Sequence, residues 1–295
     1  MPQGSRVCQQ CGRLNAAEDK TCYNCGKYLP GPMASSLLGW LTDFSADGLP
    51  ATKVIAGICI IVYALMMVTD PGLLSRGQVR GVSGFDTSTL FRFGALLGPP
   101  VIQREPWRVL SAVFLHASLL HIGMNLLSMV NLARTLEVHF GSARFTLLYL
   151  LSGALGFCAT VVWRGERALS VGASGAIFGL LGAFIGALII RRNPGWQKVF
   201  VSNLIMAFLL GYVFRNVDNA AHLGGFASGL ALGLLLELER QPHKRGRLMA
   251  GLASLGIVAV LASIGLSARS SVWRDQRQRE LEYVERQERM RLDSE

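Results

Sequence analysis

The sequence predicts an all-α polytopic membrane protein, and three observations carry that expectation. Apolar residues make up 51% of the 295 and charged residues only 16%, against about a quarter charged in soluble domains. Seven apolar runs each approach the ~20 residues needed to cross a hydrocarbon layer. The net charge of +10 sits in short connectors between those runs, where arginine and lysine act as orientation signals. No basic stripe with interleaved aromatics appears, which excludes nucleic acid as a partner.

Residues 1–30 form a cysteine module. Cys8-x-x-Cys11 and Cys22-x-x-Cys25 are two knuckles separated by ten residues, each followed by a glycine (Gly12, Gly26). Four thiolates at this spacing suit tetrahedral zinc, and a unit of thirty residues needs such a staple because it cannot bury a sufficient core. A dithiol redox pair and an iron–sulfur centre are the other readings. This polar start lacks the apolar core of a signal peptide, so the module is expected in the reducing cytoplasm, docking a protein partner there. Residues 31–50 read as a linker with an interfacial stretch around Trp40.

The membrane domain follows. Its spans are expected at about 51–69, 107–133, 144–163, 171–190, 197–214, 219–238 and 248–268. The loop 70–106 is long and carries Phe85, Leu90, Phe91, Phe93 and Leu96-Leu97, so it is expected to pack or insert partly into the membrane. Connectors after the second, fourth and sixth spans hold most of the basic residues, which places the N-terminus inside and the tail outside. The tail, 269–295, balances seven arginines against seven acids and reads as an exposed helix. Cys59 and Cys158 stand alone in apolar runs and read as packing residues.

Two polar residues open apolar runs. Ser174 lies in Gly172-Ala-Ser-Gly175 and His222 in Ala221-His-Leu-Gly-Gly225. Ionisable residues within spans are expensive and mark functional sites. Serine is a weak nucleophile without an adjacent base, and in this topology both residues lie near the outer membrane face. Gly175, Gly179, Gly182 and Gly186 on one run, and Gly225, Gly229 and Gly233 on the other, permit close approach of the two helices. Taken alone, Gly-x-Ser-Gly is more often ordinary helix-packing glue. His121 and Asn125 stand four apart on one helical face and offer two neutral donors suited to an oxyanion. Their bland alternative is a hydrogen-bonded pair facing a neighbouring helix. His116 lies on another face and reads as structural. A metal site at these histidines is disfavoured, since no carboxylate in the outer half completes a ligand set.

The ordered set Phe93-Gly94-Ala95, Glu105-Pro106-Trp107-Arg108, Phe114-Leu115-His116, His121-x-x-x-Asn125, Gly172-x-Ser174-Gly175 and Ala221-His222-x-x-Gly225 resembles the rhomboid family of intramembrane serine proteases. The resemblance covers about 51–240. It implies a rhomboid-like six-helix bundle, with a seventh transmembrane helix at 241–268 as in members that append one; the zinc-ribbon-like module read from the cysteine spacing stands in front of this core. It implies a Ser174–His222 dyad without a third carboxylate, and an oxyanion hole made by His121, Asn125 and the Ser174 N–H. Catalysis then needs no cofactor; zinc, held by Cys8, Cys11, Cys22 and Cys25, is structural. Trp107-Arg108 and Glu137 brace the scaffold, and 70–106 is the membrane-embedded first loop. Where the family often has tyrosine stacked on the histidine, this chain has Phe178, which keeps the aromatic face. Substrates would be single-span membrane proteins cut in or near their spans, within the lipid bilayer. Short loops and the lack of a transit peptide lean towards a bacterial inner membrane. A non-catalytic membrane scaffold and a transporter are the rival classes; the intact Ser174 and His222 oppose the first, and the absence of an internal repeat the second.

Overall fold

The computed structural model describes residues 5–7, 14–16, 19, 21–24, 26, 49–70, 84–165, 168–202, 217–239 and 245–271, with scattered tail positions from 274 to 290. The linker 31–48, Cys8, Cys11, Cys25, most of the expected fifth span (203–216) and most of the tail lie outside the described residues.

A small antiparallel hairpin, β1 (Ser5–Val7) and β2 (Leu14–Ala16), pairs Val7 with Leu14. Helix α1 (Pro50–Thr69) carries proline in its first turn, where the missing N–H is no loss. The first loop then folds as α2 (Thr87–Phe93), β3 (Leu96–Leu97) and α3 (Pro99–Ile102). Its Leu90, Phe91, Phe93 and Ala95 are buried with Val62 and Met66 of α1 and with Leu115, so the loop packs as its apolar content requires.

The run 107–133, expected as one span, is corrected to two pieces. Helix α4 (Arg108–Ser111) with the turn Ala112–Phe114 precedes α5 (Leu119–Phe140), and the two are bent by 91°. The cause is local. Leu115 is extended, and Ser118 caps α5 by accepting from the His121 N–H at 3.3 Å. The Ala112 carbonyl accepts the Leu115 N–H at 3.3 Å, closing the turn, and also the Gly172 N–H at 2.9 Å.

Helix α6 (Ser142–Arg164) leads to β4 (Leu169–Ser170), which pairs antiparallel with β3, Leu96 opposite Ser170. Helix α7 (Ser174–Ile190) therefore starts later than the apolar run does. It is buried along most of its length, as a helix apolar all round should be. A further helical stretch covers 195–202, followed beyond the gap by α8 (Asn219–Glu237) and α9 (Gly246–Arg269). Among the described residues, α1, α6, α8 and α9 are long and apolar enough to cross a membrane; the bent α4–α5 pair adds a fifth candidate, and α7 is a shorter apolar helix of 17 residues.

Two buried polar groups frame the bundle. Glu137 near the end of α5 accepts from the Ala51 N–H (2.7 Å), the Thr52 N–H (2.9 Å) and hydroxyl, and the Ser142 hydroxyl (2.7 Å). It thereby satisfies the open N–H groups at the start of α1. Arg108, fully buried, pairs with Glu105 and donates Nη1 to the carbonyls of Phe91 (2.9 Å) and Ala95 (3.2 Å). At the far end from Ser174, Glu237 of α8 receives His139 of α5 (2.8 Å) and Arg191 after α7.

Candidate active site

Ser174 is the first residue of α7, reached through a turn that only glycine takes comfortably. Gly172 has φ of +128°, and a Cβ there would lie 2.7 Å from Nε2 of His121. The glycine thus allows the loop ahead of the serine to run directly against His121. Four residues on, the helix presents Phe178 on the same face.

His222 sits in the first turn of α8, which Asp218 caps. The Asp218 carboxylate accepts from the Ala221 N–H (3.1 Å) and from the Thr160 hydroxyl of α6 (2.8 Å). Its carbonyl accepts from the His222 N–H at 3.1 Å. The ring of His222 lies 2.8 Å from Ser174 Oγ through Nε2, and stacks on Phe178 with centroids 4.3 Å apart and planes 19° apart. The two polar residues that opened separate apolar runs are in contact.

The contact depends on the glycine seam between α7 and α8. A Cβ at Gly175 would stand 3.2 Å from the Ala221 carbonyl. Cβ atoms at Gly225 and Gly229 would collide with the carbonyls of Gly175 and Gly179. Each helix leaves room for the other's backbone, which fixes the distance between their first turns.

On the opposite side, α5 supplies His121 and Asn125. The Ala117 N–H donates to His121 Nδ1 at 3.3 Å. A nitrogen that accepts carries no proton, so the neutral ring holds its N–H on Nε2, the atom against Gly172. Asn125 donates Nδ2 to the His121 carbonyl at 3.1 Å, and that nitrogen lies 3.9 Å from the Gly172 Cβ position. His116 is fully buried beside His121, ring centroids 5.1 Å apart, outside the dyad. Asp218 was absent from the site read in the sequence, although an Asp opening an apolar run is a helix-cap signal that could have found it; Gly172 was visible there as the first glycine of Gly-x-Ser-Gly.

This places a serine at the N-terminus of a helix, a histidine ring on its hydroxyl, and donors on the far side of the loop between them. Residues 103–239 match the model of the Rhomboid domain family. The match takes in His121, Asn125, Ser174, Phe178 and His222, and leaves out the cysteine module and α9. RHOMBOID-like protein 5 of Arabidopsis thaliana is 39% identical over 164 residues, covering 52% of this chain and 51% of that protein. Rhomboid protease GluP of Bacillus subtilis is 31% identical over 189 residues, 63% of this chain and 37% of that protein. Rhomboid-type serine protease 2 of Emericella nidulans is 37% identical over 187 residues, 61% and 36% respectively. The chain thus spans about half or less of the length of these relatives. With its several apolar helices of spanning length and its Rhomboid domain match, the chain is an integral multi-pass membrane protein.

Of the four module cysteines, Cys22 alone is described. It is buried, and its carbonyl accepts from the Gly26 N–H at 2.9 Å with Gly26 at φ +69°. The Tyr23 N–H donates to Asn15 Oδ1 of β2 at 3.1 Å, tying this knuckle to the hairpin. In sequence, Cys8 and Cys11 fall between the paired ends Val7 and Leu14. A hairpin and a left-handed glycine turn, each beside one cysteine pair, fit a zinc ribbon. Among the described residues no group of three or more His, Cys, Asp or Glu gathers to hold a metal.

Proposed function

We propose that this chain is an intramembrane serine endopeptidase that hydrolyses peptide bonds in or near transmembrane segments through a Ser174–His222 dyad. The 2.8 Å contact of His222 Nε2 with Ser174 Oγ carries the proposal. Nε2 accepts the hydroxyl proton as Oγ attacks the carbonyl carbon, and the imidazolium returns it to the leaving amine. The oxyanion forms beside His121 Nε2–H, Asn125 Nδ2–H and the Ser174 N–H at the α7 N-terminus, all donors fixed before reaction. Phe178 holds the ring of His222 flat through both transfers. A water then takes the place of the amine, with His222 as base, and frees Ser174.

The substrates are single-span membrane proteins whose helices unwind locally at the cut, so helix-weakening residues mark the site. The lipid bilayer is the working medium. In this reading the core holds six spans, with α9 as a seventh, and the connector charges put the N-terminus in the cytoplasm. The bacterial inner membrane rests on the short connectors alone, and relatives from a plant, a bacterium and a fungus favour no one membrane. In the N-terminal module, Cys8, Cys11, Cys22 and Cys25 would hold one structural zinc, which supplies folding energy to the unit and a docking surface for a cytoplasmic protein. Catalysis needs no cofactor.

The test uses the full chain in liposomes with a model single-span substrate. Ser174→Ala and His222→Ala are expected to abolish cleavage, while Cys8→Ala retains it. Equal cleavage by wild type and Ser174→Ala would overturn the proposal. Metal analysis should find one zinc per wild-type chain, lost on Cys8→Ala and on Cys22→Ala; zinc-free wild type would rule out the ribbon.

A further inference from the structure

Helix α9 lies outside the matched segment, yet one of its faces is buried as deeply as the core. Val260, Ser263 and Ser267 are all 1% exposed or less. A Cβ on Gly256 would lie 2.7 Å from Leu150 of α6. The opposite face, Leu255, Val258 and Leu261, is exposed. Towards its C-terminal end the buried face turns polar. The Ser267 hydroxyl donates to the Ser263 carbonyl at 2.8 Å, which leaves its lone pairs facing outward. One of them receives the Trp107 Nε1–H at 3.2 Å. The Ser270 hydroxyl stands 3.5 Å from Arg108 Nη2. Ser267 also closes on Gly94, where a Cβ would lie 2.7 Å from its Oγ.

Those partners lead to the active site by direct bonds. Arg108 holds the Phe91 and Ala95 carbonyls on either side of Gly94. The Ser111 hydroxyl donates to the Gly94 carbonyl at 2.9 Å. Immediately after this bend, β3 pairs with β4, and next to Ser111 the Ala112 carbonyl takes the Gly172 N–H at 2.9 Å. Two residues later comes Ser174.

We propose that α9 is a positioning element for the Ser174 loop: through Ser267 and Ser270 it clamps the Trp107–Arg108 turn and the Gly94 bend, from which β3 and the Ala112 carbonyl hold residues 169–172 in register. None of these α9 groups touches the reacting atoms. They act through the arch. The inference rests on Ser174 being the nucleophile, so its test has one arm that does not depend on activity.

The full chain in lipid nanodiscs is compared with the double variant Ser267→Ala/Ser270→Ala and with Trp107→Phe, which removes the same bond from the other side. The first readout is amide hydrogen exchange over residues 168–174. The second is labelling of Ser174 by a fluorophosphonate, together with kcat and KM on a single-span substrate. Loss of the single Trp107–Ser267 hydrogen bond in Trp107→Phe should speed exchange in 168–174 about fivefold and slow labelling by a similar factor, and the double variant, which also loses the Arg108–Ser270 contact, should do at least as much. In this outcome kcat falls while KM stays. Adding Ser267→Ala to Trp107→Phe should change little further, because both delete one interaction. Leu261→Ala, on the exposed face, should match wild type in every readout. Unchanged exchange in 168–174, or a lower melting temperature with unchanged exchange and kcat, would reduce α9 to a stabilising appendage and overturn the proposal. Absence of labelling in every chain, wild type included, would strike the protease reading and leave the exchange arm standing.

Discussion

The two sides of the proposed catalytic centre are built by opposite means. On the α7–α8 side the dyad is set by a seam of glycines, backbone on backbone, with no hydrogen bond between Gly175 and Gly186 of α7 and the α8 residues they face among the described bonds. On the α4–α5 side the fastening is polar: Arg108 holds the first-loop carbonyls of Phe91 and Ala95, and at the far end of α5 Glu137 holds the N–H groups that open α1. Lipid offers no hydrophobic drive between helices, so association there depends on close packing or on polar bonds. This protein uses the first to set a distance and the second to fasten loops that no helix constrains. A seam can slip by a fraction of an ångström without unfolding the bundle. A frame that loses a buried carboxylate leaves donors stranded.

The contrast can be broken by substitution. The largest effect should come from the frame: Glu137→Ala strands the Ala51 and Thr52 N–H groups and should cost about 3 kcal/mol of folding stability. Unfolding in mixed micelles measures it, and a loss below about 1 kcal/mol would show that the frame does not bear the fold. Next comes the seam. Gly229→Ala inserts a methyl against the Gly179 backbone, and overpacking of this kind costs about 1–3 kcal/mol. Here the cost should appear as Ser174 labelling slowed about tenfold or more, with the melting temperature moved less than in Glu137→Ala. Normal labelling in a destabilised Gly229→Ala protein would contradict the division of labour. The smallest effect belongs to the ring between the two sides. Phe178→Leu removes a stacking contact of about 1 kcal/mol and should lower kcat about fivefold. Phe178→Tyr, which keeps the face, should leave it unchanged; a kcat equal in all three proteins would mean that the ring does not hold His222.

What the sequence made legible follows the same division. The seam was written as glycines at helical spacing, which brings Ser174 and His222 to one depth; their contact at 2.8 Å shows only in the structure. His121 and Asn125 were readable because four residues make one helical turn. The polar frame was legible only in part, since Arg108 reaches backbone carbonyls far away in sequence, and carbonyls leave no mark on composition. The bend between α4 and α5 was missed because Leu115-His116-Ala117 is as apolar as the helices beside it. Only the cap at Ser118 separates them, and one serine in an apolar run is an ambiguous signal. Ser267 gave none at all; a serine in a membrane helix is ordinary, and its partner Trp107 is 160 residues away.

Helix α7 spans 17 residues, a rise of roughly 25 Å, while the hydrocarbon layer measures about 30 Å. In the proposed protease the mismatch has to be taken up at one end or the other, and with the charges of Arg191 and Arg192 in the headgroups the shortfall would fall on Ser174, setting it a few ångströms below the headgroup plane at the floor of a dimple. Local acyl-chain order around the protein then becomes a control on the reaction. Bilayers of longer or more saturated lipids deepen the dimple and raise the cost of keeping water in it, so turnover would track membrane thickness even at constant affinity for substrate.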